Sequence, residues 1–297
     1  MIKLIAYVLK AFAWIISHLP KKVQFFLGDV IGILWFDILR IRRPIIISNL
    51  TLAFPTMSEK KRIQLARRSM CNLGRGFIEF CHFPFMENHK KYLDEFIIEG
   101  KGHLEQAQKK DKGVCLMTLH LGNGDYATAG LALHGIHFHL ISKEFKMKWI
   151  NKLWFAMRSK LGTKFIPPRN SSYAILKALK RKEIVCFVQD QFMGPPIGVK
   201  TTFFGHETGT ALGLSVMAMR YNSPIVPVYN YRRYDGKIII VFEKEIDFSS
   251  IENTQDVEEK QKLMTQICND KLQEYVEKYP EQWMWVHRRW KQGKFKD

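Results

Sequence analysis

GVCLMTLHLGNGDYATAGLA, residues 113–132, changes character twice within twenty residues. Val114–Leu119 is a short, mostly apolar run, the pattern of a buried strand. His120 to Gly124 then brings two glycines and Asn123, which predict a tight turn. From Asp125 onward alanine and leucine predict a helix, with Asn123 as its cap. A histidine therefore stands at the C-terminal end of a strand, and a carboxylate follows at a helix start. In open α/β sheets that edge is where ligands bind.

A histidine that takes up a proton needs an orienting group on its other ring nitrogen. A carboxylate there fixes the tautomer and stabilises the imidazolium. Asp125 meets this need if the chain bends back between Gly122 and Gly124, a bend that glycine makes cheap. The free nitrogen of His120 then takes the proton of a substrate hydroxyl as it attacks a carbonyl, with no protein nucleophile. Backbone N–H groups at the helix start offer a place for an oxyanion or a phosphate. A histidine and an aspartate five apart also occur as turn-stabilising pairs, and spacing alone does not choose between the two.

The chain around this stretch has 297 residues, enough for one large α/β domain or two smaller ones. With 46% hydrophobic and 25% charged residues it is a globular rather than a disordered sequence. A formal net charge of +18 calls for an acidic partner: nucleic acid, anionic lipid or an acidic protein. The five cysteines form no C-x-x-C pair, and Cys115 and Cys186 sit in apolar strand-like runs as small hydrophobes. The pattern predicts no disulfide framework and a reducing compartment.

Residues 1–19 and Val23–Ile41 are apolar but interrupted by Lys3, Lys10, Asp29 and Asp37. They predict a helical hairpin that dips into or lies on a membrane, with two buried core helices as the alternative. Arg40, Arg42 and Arg43 close it at lipid headgroup level on a cytoplasmic face. Residues 1–43 are thus expected to be a membrane-associated helical segment and 44–297 the globular remainder. Asn49–Pro55 reads as a connector and Ser58 as the cap of a long helix. Along that helix Lys61, Arg68 and Arg75 form a basic stripe, either a solvated face or a contact with phosphates or an acidic partner. A polar linker and a short helix over Leu104–Gln108 lead into the opening stretch. Strands are predicted at Ile136–Ser142, Lys164–Pro168, Glu183–Val188, Val199–Phe204, Ile225–Tyr231 and Lys237–Phe248. Helices are predicted at 147–161, Tyr173–Arg181, 210–221 and, capped by Thr254, through Val276, with a Gly-Thr-rich turn before Thr210. The alternation predicts an α/β fold with a mostly parallel central sheet flanked by helices.

Several blocks, taken together, resemble one family. His120-Leu121-Gly122-Asn123-Gly124-Asp125 is similar to the H-x4-D/E motif of the lysophospholipid acyltransferase superfamily. Arg43 with Asn49-Leu50 and Phe54-Pro55 resembles an R…NL…FP connector. Gln189-Asp190-Gln191 with Gly194-Pro195 resembles a D-x-x-x-G-P block. Phe203-Phe204-Gly205 with Thr208 and Thr210 resembles an FFG…T turn, and Arg220 with Pro224 and Pro227 an R…P..P step. Trp283–Trp290 resembles a closing W-x-H-R-R-F/W. More narrowly the chain resembles the late lipid A (lauroyl/myristoyl, HtrB-like) acyltransferases. The departures are Asp125, where many members have Glu, and Gly124, where a bulky residue is frequent.

The resemblance implies a glycerol-3-phosphate acyltransferase-like fold and an O-acyltransferase. It implies transfer of a fatty acyl chain from acyl carrier protein or acyl-CoA to a hydroxyl of a lipid A precursor, at the cytoplasmic face of the bacterial inner membrane. His120 and Asp125 are the implied catalytic pair. Asn123, Arg158, Asp190, Thr208, Thr210, Arg288 and Arg289 are the implied substrate-binding residues, with His287 near an anionic headgroup or carrier. No cofactor, no metal and no nucleic-acid partner are expected. His134, His137 and His139 lack further ligands at matched spacing, and no P-loop, nucleophile elbow or dinucleotide fingerprint is found. The alternatives are an acyltransferase of another membrane glycolipid or phospholipid, and a non-catalytic lipid-binding membrane protein.

Overall fold

The apolar run of the opening stretch forms β2 (Val114–Thr118) in a computed structural model that describes residues 2–88, 90–142, 155, 159–167 and 171–291. Its neighbours are β5 (Ile184–Val188) on one side and β8 (Ile225–Arg232) on the other, both parallel to it. β3 (His139–Ile141) and β4 (Lys164–Ile166) continue the sheet beyond β5. β9 (Ile238–Phe242) and β1 (Phe96–Glu99) continue it beyond β8. The order of this seven-stranded sheet is β1-β9-β8-β2-β5-β3-β4, and the pair β8–β9 is antiparallel. A central strand apolar on both sides needs cover on both faces. Cys115 and Met117 enter one apolar cluster, Val114 and Leu116 the other.

The first cluster is closed by α3 (Arg43–Ala53), α4 (Glu59–Glu79), α7 (Ser171–Lys180), α8 (Gly213–Tyr221) and α9 (Val257–Lys278). The second is closed by α5 (Lys101–Gln108), α6 (Gly124–Leu133) and the 3-10 segment near Phe83–Tyr92. Burial pushes the thiols of Cys115 and Cys186 up to about 12, as befits small hydrophobes in a core.

Several local expectations are corrected. The supposed connector around Asn49 is helical: Pro44 stands in the first turn of α3, where its missing N–H costs nothing. The short strand β1 lies in what reads as polar linker and pairs at the sheet edge with β9. The Gly-Thr stretch is not a turn before a helix. It is β7 (His206–Ala211), the return strand of a hairpin with β6 (Gly198–Phe203). The turn itself is Phe204-Gly205, both left-handed at φ 51° and 72°, a pair suited to a tight hairpin. The last helix is capped by Asp256, which accepts from Glu258 N at 3.0 Å, rather than by Thr254. The strands at 136–142, 164–168 and 237–248 are shorter than their apolar patterns. Most of the helix expected at 147–161 lies outside the described residues.

The N-terminal hairpin is α1 (Ile2–His18) and α2 (Lys21–Ile33), followed by a π-turn at Leu34–Ile38. α2 packs backbone to backbone on α4. A Cβ placed on Gly74 would meet the carbonyl oxygen of Gly28 at 2.0 Å, so only glycines permit this approach. Acidic residues of the hairpin region are met by α4: Arg75 makes a two-pronged pair with Asp29 at 2.6 and 2.7 Å, and Arg67 another with Asp37. Arg75 of the basic stripe is thus turned inward to a carboxylate of its own chain. The far side of the hairpin region exposes Val8, Phe12, Trp14, Ile15, Phe26, Leu34, Ile38 and Leu39. Among the described residues no helix is long and apolar enough to cross a membrane.

Candidate active site

Strand register builds the site. β2 and β5 are parallel, with Thr118 opposite Val188. Two residues further, past both strand ends, His120 stands beside Asp190. His120 Nδ1 donates to Asp190 Oδ1 at 2.7 Å, and His120 N donates to Asp190 Oδ2 at 2.9 Å. Trp283 Nε1 donates to the same Oδ2 at 2.7 Å. The carboxylate on the imidazole is therefore Asp190 and not, as the spacing suggests, Asp125. A local bend does not bring Asp125 to Nδ1 because the turn continues forward into α6. Asp125 instead lies near enough for its charge to act on His120.

Electrostatics follow from this arrangement. Burial opposes charge on Asp190, yet His120, the hydrogen bonds it supplies and Trp283 together hold the carboxyl down at about 2. Burial also opposes the imidazolium of His120. The charge and hydrogen bond of Asp190, with the charge of Asp125, outweigh it and raise the histidine above 6.5. With Nδ1–H given to Asp190, the neutral ring presents a lone pair at Nε2.

The amides of the turn from His120 to Asn123 are engaged. His120 N is held by Asp190, Leu121 N by Leu119 O, Gly122 N by Gln282 O and Asn123 N by Asn230 Oδ1. Gly122 has φ 62°, and a Cβ there would lie 2.5 Å from Asn230 Oδ1, so glycine is required. Asn123 caps α6, accepting from Tyr126 N at 3.2 Å. Its Nδ2 donates to buried Glu79 at 2.7 Å. Glu79 in turn pairs with buried Arg232 through bonds of 3.0 and 2.6 Å, and Arg232 also bonds Asn72.

The remaining expected site residues fall into three groups. Arg158 lies outside the described residues. Thr208 and Thr210 sit on a buried strand, and their hydroxyls bond the carbonyl and the guanidinium of Arg289. Arg289 is itself fully buried. It donates to Gln191 O, Gly209 O and Asn269 Oδ1, lies over the Phe203 ring, and is pulled down to about 10 by burial. Arg288 is exposed. His287 is lowered to about 4 by burial and lies within electrostatic range of His120 and Asp190.

Besides Asn72, Glu79, Asn230, Arg232 and Gln282, which hold the turn from behind, two residues that touch the His120–Asp190 pair were not foreseen. Trp283 seats Asp190, and its segment clamps the turn: Met284 N donates to His120 O at 3.1 Å. Gln191 lies against His120, its Nε2 3.3 Å from His120 Nε2. Both fall inside quoted sequence blocks, so the signal was position within a block rather than residue type.

His120 opens into a cavity of about 620 Å³. Its lining includes His120, Asp125, Gln191 and Ser142. It continues beneath α6 between helix and sheet, where Leu116, Leu131, Phe138, Leu140, Cys186 and Ile240 line it. His120 thus lines a cavity whose wall is largely apolar, the surroundings a hydrocarbon chain requires.

The profile of the bacterial lipid A biosynthesis acyltransferases matches residues 1–292. The chain belongs to this family. It is an acyltransferase. It is 27% identical over 288 residues to the lipid A biosynthesis lauroyltransferase of Escherichia coli K12, covering 94% of this chain and 88% of that one. It is 26% identical over 285 residues, with the same coverage, to the palmitoleoyltransferase of lipid A biosynthesis from that strain. A Haemophilus influenzae lipid A biosynthesis acyltransferase is 25% identical over 80% of this chain and 72% of its own.

Proposed function

We propose that the protein moves a fatty acyl chain from the thioester of acyl carrier protein or of CoA to a hydroxyl of a lipid A precursor. The observation that carries this reading is an imidazole fixed on Nδ1 by a buried carboxylate, in the lining of a largely apolar cavity. His120 acts as general base. The acceptor hydroxyl gives its proton to Nε2 while its oxygen attacks the thioester carbonyl. The imidazolium is stabilised by Asp190 in contact and by Asp125 through its charge, so the pair His120–Asp125 works with a third member. Collapse expels the thiolate, which recovers the proton from Nε2. The acyl chain lies beneath α6, and its length is set by how far Phe138, Leu140 and Ile240 allow it to run. Lauroyl and palmitoleoyl transferases are almost equally similar to this chain, so similarity does not choose the length.

The exposed apolar face of the hairpin region, flanked by Lys10, Lys22, Arg40 and Arg42, rests on the anionic cytoplasmic face of the bacterial inner membrane. The acceptor is drawn from that surface, and the net positive charge favours an acidic carrier protein as donor.

The test is transfer by the purified full-length protein, in lipid–detergent micelles, from acyl carrier protein or CoA thioesters to an under-acylated lipid A precursor. His120→Ala should lower transfer by about 10³-fold while the protein, with a lowered melting temperature, stays folded at the assay temperature and still binds vesicles. Transfer retained in that variant overturns the mechanism.

A further inference from the structure

The nitrogen that must receive the acceptor's proton is already occupied in the structure. Gln191 Nε2 lies 3.3 Å from His120 Nε2. Because Nδ1 gives its proton to Asp190, Nε2 holds a lone pair, and the carboxamide is the donor in this contact. The backbone that carries this group is firmly placed. It follows the buried Asp190 directly, its carbonyl accepts from buried Arg289 at 3.1 Å, and its loop is tied to the hairpin by Met193 N to Gly209 O at 3.1 Å. Its side chain lines the cavity.

The reaction also needs a donor for the oxygen that becomes negative. The amides from His120 to Asn123 are all spent on Asp190, Leu119, Gln282 and Asn230. A carboxamide carries two N–H donors and sits where the hydroxyl must arrive.

We propose, on the acyl-transfer reading above, that Gln191 is a catalytic residue that supplies the oxyanion donor. The incoming hydroxyl displaces the carboxamide from Nε2 and takes its place. The hydroxyl oxygen then bonds to the thioester carbonyl carbon as its proton passes to Nε2. The carbonyl π pair moves onto oxygen, which receives the Gln191 N–H. When that pair returns, the C–S bond breaks and the Nε2 proton goes to the thiolate. A donor aimed at developing charge acts mainly on the chemical step rather than on binding.

Steady-state transfer by the full-length protein from the thioester the wild type uses to an under-acylated lipid A precursor tests this role. Gln191→Ala should lower kcat by about 10²-fold with KM for both substrates changed less than about twofold. Gln191→Met, close in size but without a donor, should match it, so loss of fold in one variant is checked by melting temperature and by the other. Gln191→Glu should fail to restore kcat, and its carboxylate should move the acidic limb of the kcat profile to higher pH by raising His120. Wild-type kcat in a folded Ala or Met variant, or a rise in KM alone, overturns the role. Absence of transfer by the wild type from either thioester overturns the reaction assignment itself, and this role with it.

Discussion

Two buried arginines hold the two loops that meet at His120, and they do so by different physics. Arg232 is paired with the buried carboxylate of Glu79, and through Glu79 it holds Asn123 and the turn after β2. Arg289 meets no carboxylate among the contacts described for it. Carbonyls, Thr210, Asn269 and the Phe203 ring solvate it, and it holds Gln191 and the loop after β5. One loop is therefore fixed by an ion pair whose halves depend on each other. The other is fixed by a cation standing in for water among neutral acceptors. An ion pair is fragile to single loss, whereas a neutral cage tolerates it better, because several of its acceptors keep another partner.

The largest expected effect breaks the ion pair. Arg232→Met leaves Glu79 buried and unpaired and should cost about 3–5 kcal/mol in denaturant unfolding. Replacing both partners, Glu79→Leu with Arg232→Met, should recover most of that loss; no recovery would show that the pair holds the turn by geometry rather than by charge balance. Arg289→Met comes next, at about 2 kcal/mol. Gly209 O still accepts from Met193 N, and Thr210 still bonds Thr201, so few acceptors are orphaned. A cost equal to that of Arg232→Met in the same unfolding assay would erase the distinction.

Asp190, where the two loops meet, gives the third measurement. Its carboxyl is held at about 2, against 3.8 ordinarily. A depressed carboxylate stabilises the fold fully above its unfolded value, and that stability is lost as pH falls through the folded one. Asp190→Asn should therefore remove about 2 kcal/mol of stability at pH 7 and flatten the stability profile between about pH 4 and 2. His120 has the opposite sign: raised above 6.5, its contribution is present below that pH and fades as pH rises through the folded value. Without the Asp190 charge the acidic limb of the activity profile should move to lower pH as activity falls. The smallest effect is Gly124→Ala. A Cβ there meets nothing within 4 Å, and the site is the first turn of α6, so unfolding free energy should rise by about 0.5–1 kcal/mol.

The strand, turn and helix of residues 114–133 were legible because each is encoded within a few residues. The partner of His120 was not, because it depends on register between strands seventy residues apart in sequence. Its trace is the polar Gln189-Asp190-Gln191 at the end of an apolar strand, a pattern that names no contact. Asp29 and Asp37 read as interruptions of an apolar run because their partners, Arg75 and Arg67, lie on another helix. Thr208 and Thr210 read as a turn because threonine and glycine suit turns as well as hairpin strands, and only pairing with β6 decides.

The glycine contact between α2 and α4 has a mechanical consequence. Within one stretch of α4, Gly74 and Arg75 grip the N-terminal hairpin, Asn72 and Glu79 grip the Arg232 network, and Ser69 grips the Trp283 segment. α4 is a beam shared by the apolar exterior and the reactive turn. The hairpin is consequently not a tether that can be cut away. A fragment beginning at residue 44 would bare the groove at Gly74, strand Arg67 and Arg75 without their carboxylates, and loosen the support of His120 from behind.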